Sequence, residues 1–242
     1  MLIVAGLVFV LAGTIKGTVG IGLPTAAVGI LAQFIDPHLA ISLVVFPIMF
    51  ANAWQAYRSG NILATLKRYW PFAIISMVML WLTTFMTAAI STDTLVTVLG
   101  GVIVLFAVSS LAFTPPPIPD RFDKAAQTVA GVLAGLMGGL TAIWAPPMVI
   151  YFIARRVDKH EFVRASGLLI FLGSLPLSLG FWQSGLMTGP KALMSMAMIV
   201  PTLIGFSLGE ALRRRLTDER FRTAVLLMFL VMGLNLIRKA MF

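Results

Sequence analysis

Leu11-Ala12-Gly13-Thr14-Ile15-Lys16-Gly17 returns 122 residues later as Leu133-Ala134-Gly135-Leu136-Met137-Gly138-Gly139. The register persists outward from it. Pro24 falls on Pro146, and Ile35-Asp36-Pro37-His38 falls on Val157-Asp158-Lys159-His160. Ser59-Gly60 then meets Ser184-Gly185, and Thr92-Asp93 meets Thr217-Asp218, with the offset grown to 125. The chain is therefore a repeat of roughly half its own length.

Its 242 residues are 59% hydrophobic and 11% charged, with a mean hydropathy of +0.98. Soluble domains carry about 25% charged residues, so the chain reads as an all-α, polytopic protein of the lipid bilayer. A half-chain repeat in such a protein is the pattern of membrane transporters whose substrate site lies between the halves. There is no cysteine, which excludes thiol chemistry, and two histidines with nine acids leave little for a metal. No cofactor is expected. The net charge of +9 sits in short loops between apolar segments, where it sets topology and not nucleic-acid binding. No cationic region precedes the first apolar stretch, so a cleavable leader is not expected.

Apolar segments run over 2–33, 39–57, 69–90 and 95–113, then over 125–154, 162–182, 192–212 and 221–237. About 20 residues cross a bilayer as a helix. The first segment of each half is about 30 residues long, and each is broken in its middle, at Gly20-Ile21-Gly22-Leu23-Pro24 and at Trp144-Ala145-Pro146-Pro147. Asp36 before Pro37 reads as an N-cap, and Asp158-x-x-Glu161 resembles a capping box. Ser91, Thr92 and Thr217 are candidate caps. The proline-rich run 114–120 cannot be helical and joins a first repeat, 1–113, to a second, 121–242.

Counting bases decides between two topologies. If every segment crosses once, the two faces receive nine and eight Lys or Arg, which is no bias. If each broken segment enters and leaves on one face, the split becomes 14 to three, with Lys16 inside the membrane. The positive-inside rule selects the second arrangement. It is two inverted repeats, each a re-entrant helical hairpin plus three transmembrane helices, with basic loops in the cytoplasm and both termini outside.

Each break starts a new half-helix at a proline, Pro24 or Pro147. A helix start exposes free N–H groups and partial positive charge, so two such starts facing each other make an anion site. Gly20 and Gly22 let the backbone approach a ligand. Lys16 lies deep in the first segment, where a charge costs about 2.5–3.5 kcal/mol on insertion scales. Either an anionic substrate offsets that cost, or Lys16 donates to carbonyls freed by the turn. Thr18, Thr25 and Thr141 could offer hydroxyls, or bond their own backbone. Trp144 could donate its indole N–H or fill space. Asn52, Gln55 and Gln183 are pathway candidates, amides otherwise serving helix contacts. Glu210 could couple ions, or pair with Arg213 and Arg214 one turn on. The Gly13/Gly17 and Gly135/Gly139 pairs need only close helix packing.

The run Gly13 to Pro24, its weaker second copy ending at Pro146-Pro147, and the chain length resemble the TauE/SafE family of sulfite exporters, also called the toluene sulfonate uptake permease family. The resemblance covers essentially the whole chain. It implies movement of sulfite, sulfonates or related organic anions across the bacterial inner membrane, in the export direction, and no enzymatic activity. Thr141-Ala142-Ile143-Trp144 departs from the family's glycine-richer second break and puts a bulky ring there. A passive anion channel and a membrane subunit of a larger complex are the rival readings. Proton or sodium coupling and a homodimer are left open. The topology is checked with Ser91→Cys in this cysteine-free chain: it should react with an impermeant thiol reagent in intact cells. Labelling only in inverted vesicles would reverse it.

Overall fold

The computed structural model describes residues 2–112, 115–213 and 218–241, and every regular element there is helical. The first half holds α1 (Leu2–Val19), α2 (Leu23–Leu31), α3 (Pro37–Ser59), α4 (Ile62–Ala89) and α5 (Thr92–Ala112). After a short 3-10 turn, Asp120–Phe122, the second holds α6 (Asp123–Thr141), α7 (Ala145–Ala154), α8 (Lys159–Gln183), α9 (Gly189–Ala197), α10 (Ile199–Arg213) and α11 (Asp218–Met241). Five described helices are long and apolar enough to cross a membrane: α3, α4, α5, α8 and the run Gly189–Leu212 through α9 and α10. The sixth expected span falls in α11, several of whose side chains lie outside the described residues, as do Thr114 and Thr217.

Local chemistry sets the ends. Asp36 caps α3 by accepting from Leu39 N at 2.9 Å. Asp158 caps α8 by accepting from His160 N and Glu161 N at 2.9 and 3.0 Å, and these N–H bonds, chiefly that of Glu161, hold its carboxyl below the usual range. The capping box is only half made, because the Glu161 side chain turns away to Arg68 and Tyr69. α4 begins at Ile62, seven residues before the apolar run that predicted it, and bends at Tyr69 just ahead of Pro71. Its first turns carry Lys67 and Arg68, so these bases stand on helix and not in a loop.

The packing is reciprocal between the halves. α1 lies along α10 as α6 lies along α4, while α3 pairs with α8 and α5 with α11. Ser42 Oγ donates to Leu186 O and Gln55 Nε2 to Val163 O, so α3 and α8 run antiparallel. Glycine permits the closest seams. A Cβ on Gly13 or Gly17 would land on the carbonyl of Thr202 or Phe206, and one on Gly205 or Gly209 on that of Val10 or Thr14. The two backbones thus touch along interleaved small-residue rows. On α6 the same role falls to Gly131, Gly135 and Gly139, against which Thr83 and Thr87 of α4 donate to the carbonyls of Gly135 and Gly139 at 2.9 and 2.6 Å.

Both broken segments bring their own ends together. Arg155 after α7 pairs with Asp123 at the start of α6, 2.8 Å away, and with Asp120 at 2.6 Å. Val4 and Ala5 of α1 share one cavity wall with Leu31, Phe34 and Ile35 after α2. Gly209→Ala should destabilise the detergent-solubilised protein by about 1–3 kcal/mol through overpacking. Gly101→Ala, where an added Cβ meets nothing within 4 Å, should be neutral or stabilising. Equal thermal melts for the two variants would refute the seam.

Candidate functional site

The first break is made by backbone. Gly20 and Gly22 adopt φ of +92° and +99°, left-handed values that a side chain disfavours, and Gly22 is the N-cap of α2. Leu23 and Pro24 then occupy the first two helical positions, where an N–H is not needed. The second break is Ala142–Trp144, earlier than the proline pair suggested. α7 starts at Ala145, so Pro146 and Pro147 follow at its second and third positions and Pro147 does not begin it. Ala142 takes φ +58° where its repeat partner is Gly20, a conformation costing a non-glycine residue about 1–2 kcal/mol.

Lys16 sits in the last turn of α1 and is 1% exposed. Its ammonium donates to Asn52 Oδ1 at 2.6 Å, Gln55 Oε1 at 2.8 Å and, weakly, Gly20 O at 3.5 Å. The Phe206 ring lies 5.8 Å from it. The amides are themselves oriented: Asn52 Nδ2 donates to Ile48 O at 2.7 Å, and Gln55 Nε2 to Val163 O at 2.7 Å. Their oxygens therefore face the cation by construction. Among the described residues no carboxylate pairs with Lys16. The charge is solvated by neutral dipoles and not cancelled.

A cavity of 180 Å³ opens beside it, lined by Lys16, Gly17, Gly20, Gln55, Arg58, Ser59, Val163, Phe206 and Glu210. Across the break lies a larger, mostly apolar cavity of 360 Å³, walled by Thr18, Ile21 and Gly22 from the first half and by Val149, Ile153, Lys159, Phe162 and Phe229 from the second. Both cavities lie at contacts between the two halves. Gly22, the N-cap of α2, lines the larger one.

The structure brings Lys16, Asn52, Gln55, Gly20 and Glu210 to one place. Thr18 borders the larger cavity, yet its hydroxyl donates to Thr14 O and Gly209 O at 2.8 and 3.2 Å. Pro24, Thr25, Thr141, Trp144 and Pro147 are buried and line neither cavity. Thr141 accepts from Ile143 N at 3.1 Å and so braces the second break. Trp144 fills space between Gly138 and Gly173. Two buried donors, Thr25 Oγ1 and Trp144 Nε1, have no partner among the described residues. Gln183 stands apart at the exposed end of α8, accepting from Trp81 Nε1 at 2.8 Å. Glu210 pairs with Arg58 across the halves, 2.6 Å away. Its alternative partner Arg214 lies outside the described residues, as does the Arg213 side chain.

Arg58 is the site residue that sequence reasoning missed, because it was counted as a loop base. The signal was present: Asn52, Gln55 and Arg58 recur at three-residue steps on one face of a helix.

The chain is 27% identical over 120 residues to a protein of Cupriavidus necator described as a probable sulfite/organosulfonate exporter TauE, a match covering 48% of this chain and 46% of that one. The matched region thus spans under half of that relative's length. No solved structure matches. The family described as Sulfite exporter TauE/SafE matches residues 5–236. With nearly its whole length matched, the chain belongs to the TauE/SafE family.

Proposed function

We propose that the protein is a membrane transporter of a small sulfur-containing or organic anion, such as sulfite or a sulfonate, working in the export direction. The observation that carries this is Lys16: a buried cation held by neutral amide oxygens beside a small cavity between the halves. A buried charge is costly unless paired. Dipoles from Asn52 and Gln55 lower that cost while leaving a net positive field for an anion to meet. Gly17 and Gly20 keep side chains out of the cavity wall. Thr18, Gly22, Pro24, Thr25, Thr141, Trp144 and Pro147 support the two breaks that shape the site.

Two inverted repeats, 1–113 and 121–242, joined by 114–120, suit this function. The reciprocal packing of α1 on α10 and α6 on α4 supports that arrangement, as does the meeting of each hairpin's ends. The face carrying Arg58, Arg68, Arg155 and Lys159 is then cytoplasmic by the positive-inside rule. Alternating access at the Lys16 cavity, between the two broken hairpins, would then be a motion that spares the α1–α10 and α4–α6 seams joining the halves. The Cupriavidus necator relative, described as a probable sulfite/organosulfonate exporter, points to the same substrate class.

Counterflow in proteoliposomes tests this, with sulfite, sulfoacetate, sulfate or lactate inside. Saturable exchange of one anion, abolished by Lys16→Gln in a protein that still folds, is the expected result. Exchange undiminished in the variant would return Lys16 to a purely structural role, and flux without counterflow would indicate a channel. The solvation of Lys16 is tested separately by stability. Gln55→Leu should cost about 1.5–3 kcal/mol by removing an acceptor from a charged donor, and adding Lys16→Met should recover most of it. A double variant no more stable than Gln55→Leu alone would contradict the coupling.

A further inference from the structure

We infer, resting on the anion reading above, that Arg58 is a second anion-binding side chain of the Lys16 cavity. Glu210 is a tethered anion that occupies it until a transported anion takes its place.

The geometry begins on α3. Asn52 and Gln55 hold Lys16, and Arg58 follows Gln55 by one turn on the same face, lining the same 180 Å³ cavity nearer its mouth. On the opposite wall, α10 carries Phe206 over Lys16 and Glu210 one turn later. Arg58 Nη1 and Glu210 Oε2 meet at 2.6 Å, with the side chains 48% and 37% exposed. The cavity wall therefore carries two cations and one carboxylate, leaving one positive charge in excess.

Three features suit a replaceable partner better than a fixed brace. An ion pair this exposed shifts a two-state balance by at most about fivefold, so an oxyanion at the mouth can compete for it. A guanidinium binds carboxylate and other oxyanions through the same paired N–H geometry, so the exchange leaves Arg58 satisfied. The guanidinium also lies 5.9 Å from the Trp54 ring, which steadies it when the carboxylate leaves. Glu210 itself stands on a helix locked to α1 by the Gly17 and Gly209 contacts, whereas α10 touches α3 only lightly.

The absence of cysteine gives a test that needs no transport. Val163→Cys places one thiol on the third wall, beside Gly20 and Gln55. Its labelling rate in detergent is measured with two methanethiosulfonate reagents, one ending in a sulfonate and one in a quaternary ammonium. Adding Glu210→Gln should raise the sulfonate reagent's rate at least threefold over the ammonium reagent's. Adding Arg58→Gln should lower that ratio at least threefold, and Arg58→Lys should fall between. In the Arg58→Gln background, Glu210→Gln should have little further effect, because the carboxylate acts by occupying the guanidinium. Equal changes for both reagents would make the pair a steric plug, and strictly additive variants would make Glu210 a simple field effect. Either outcome overturns the proposal. Counterflow that fails while these ratios hold would instead count against the transport reading alone.

Discussion

A single ammonium inside a lipid-soluble protein constrains more of this structure than any other group. Lys16 cannot reach water easily, and no carboxylate among the described residues cancels it. It must therefore be surrounded by oxygens, and those come from three places: two amides of α3 and the backbone of the break that ends α1. That requirement accounts for two amides of α3 facing α1 where it ends. It also explains why Asn52 and Gln55, residues uncomfortable in a bilayer, stand in a spanning helix. Their N–H groups are occupied by Ile48 O and Val163 O, so the amides cannot turn away.

The two copies of the repeat share a seam but divide the labour. Small residues let α1 meet α10 and α6 meet α4 at backbone distance. At the positions that differ, the halves diverge in kind. Lys16 corresponds to Gly138, and Gly22 to Trp144. In one half there is charge beside open space; in the other a large ring packs against the two glycines that admit it. A symmetric frame thus holds an asymmetric site.

The hairpins are anchored differently as well. The ends of α6 and α7 are tied by Asp120, Asp123 and Arg155, with Tyr151 donating to Asp123 at 2.7 Å. Nearby, Tyr69 and Arg68 bond Glu161. The end of α2 is tied to α11 by amide and ammonium bonds: Asn235 Nδ2 donates to Gln33 Oε1 at 2.6 Å, and Lys239 Nζ to Gln33 O at 3.2 Å. Directional bonds thus hold both hairpins to their neighbours, through ion pairs in one and amides in the other.

The sequence by itself determined the membrane class, the helical segments and the two breaks. These follow from composition, segment length and the conformational demands of Gly and Pro, all of which are local. It also marked Lys16, Asn52, Gln55 and Glu210 as unusual, since polar groups within apolar runs need a reason. Only the tertiary structure decided how they combine. Whether an amide faces a lysine or a lipid depends on which helix packs beside it. That separated Gln55 from Gln183, which lies at an exposed helix end. The start of α7 at Ala145 and the early start of α4 at Ile62 lie outside what the apolar runs and prolines mark. Arg58 gained its meaning in the same way. Its partner is 152 residues distant, and no local pattern connects two charges that only folding brings to 2.6 Å.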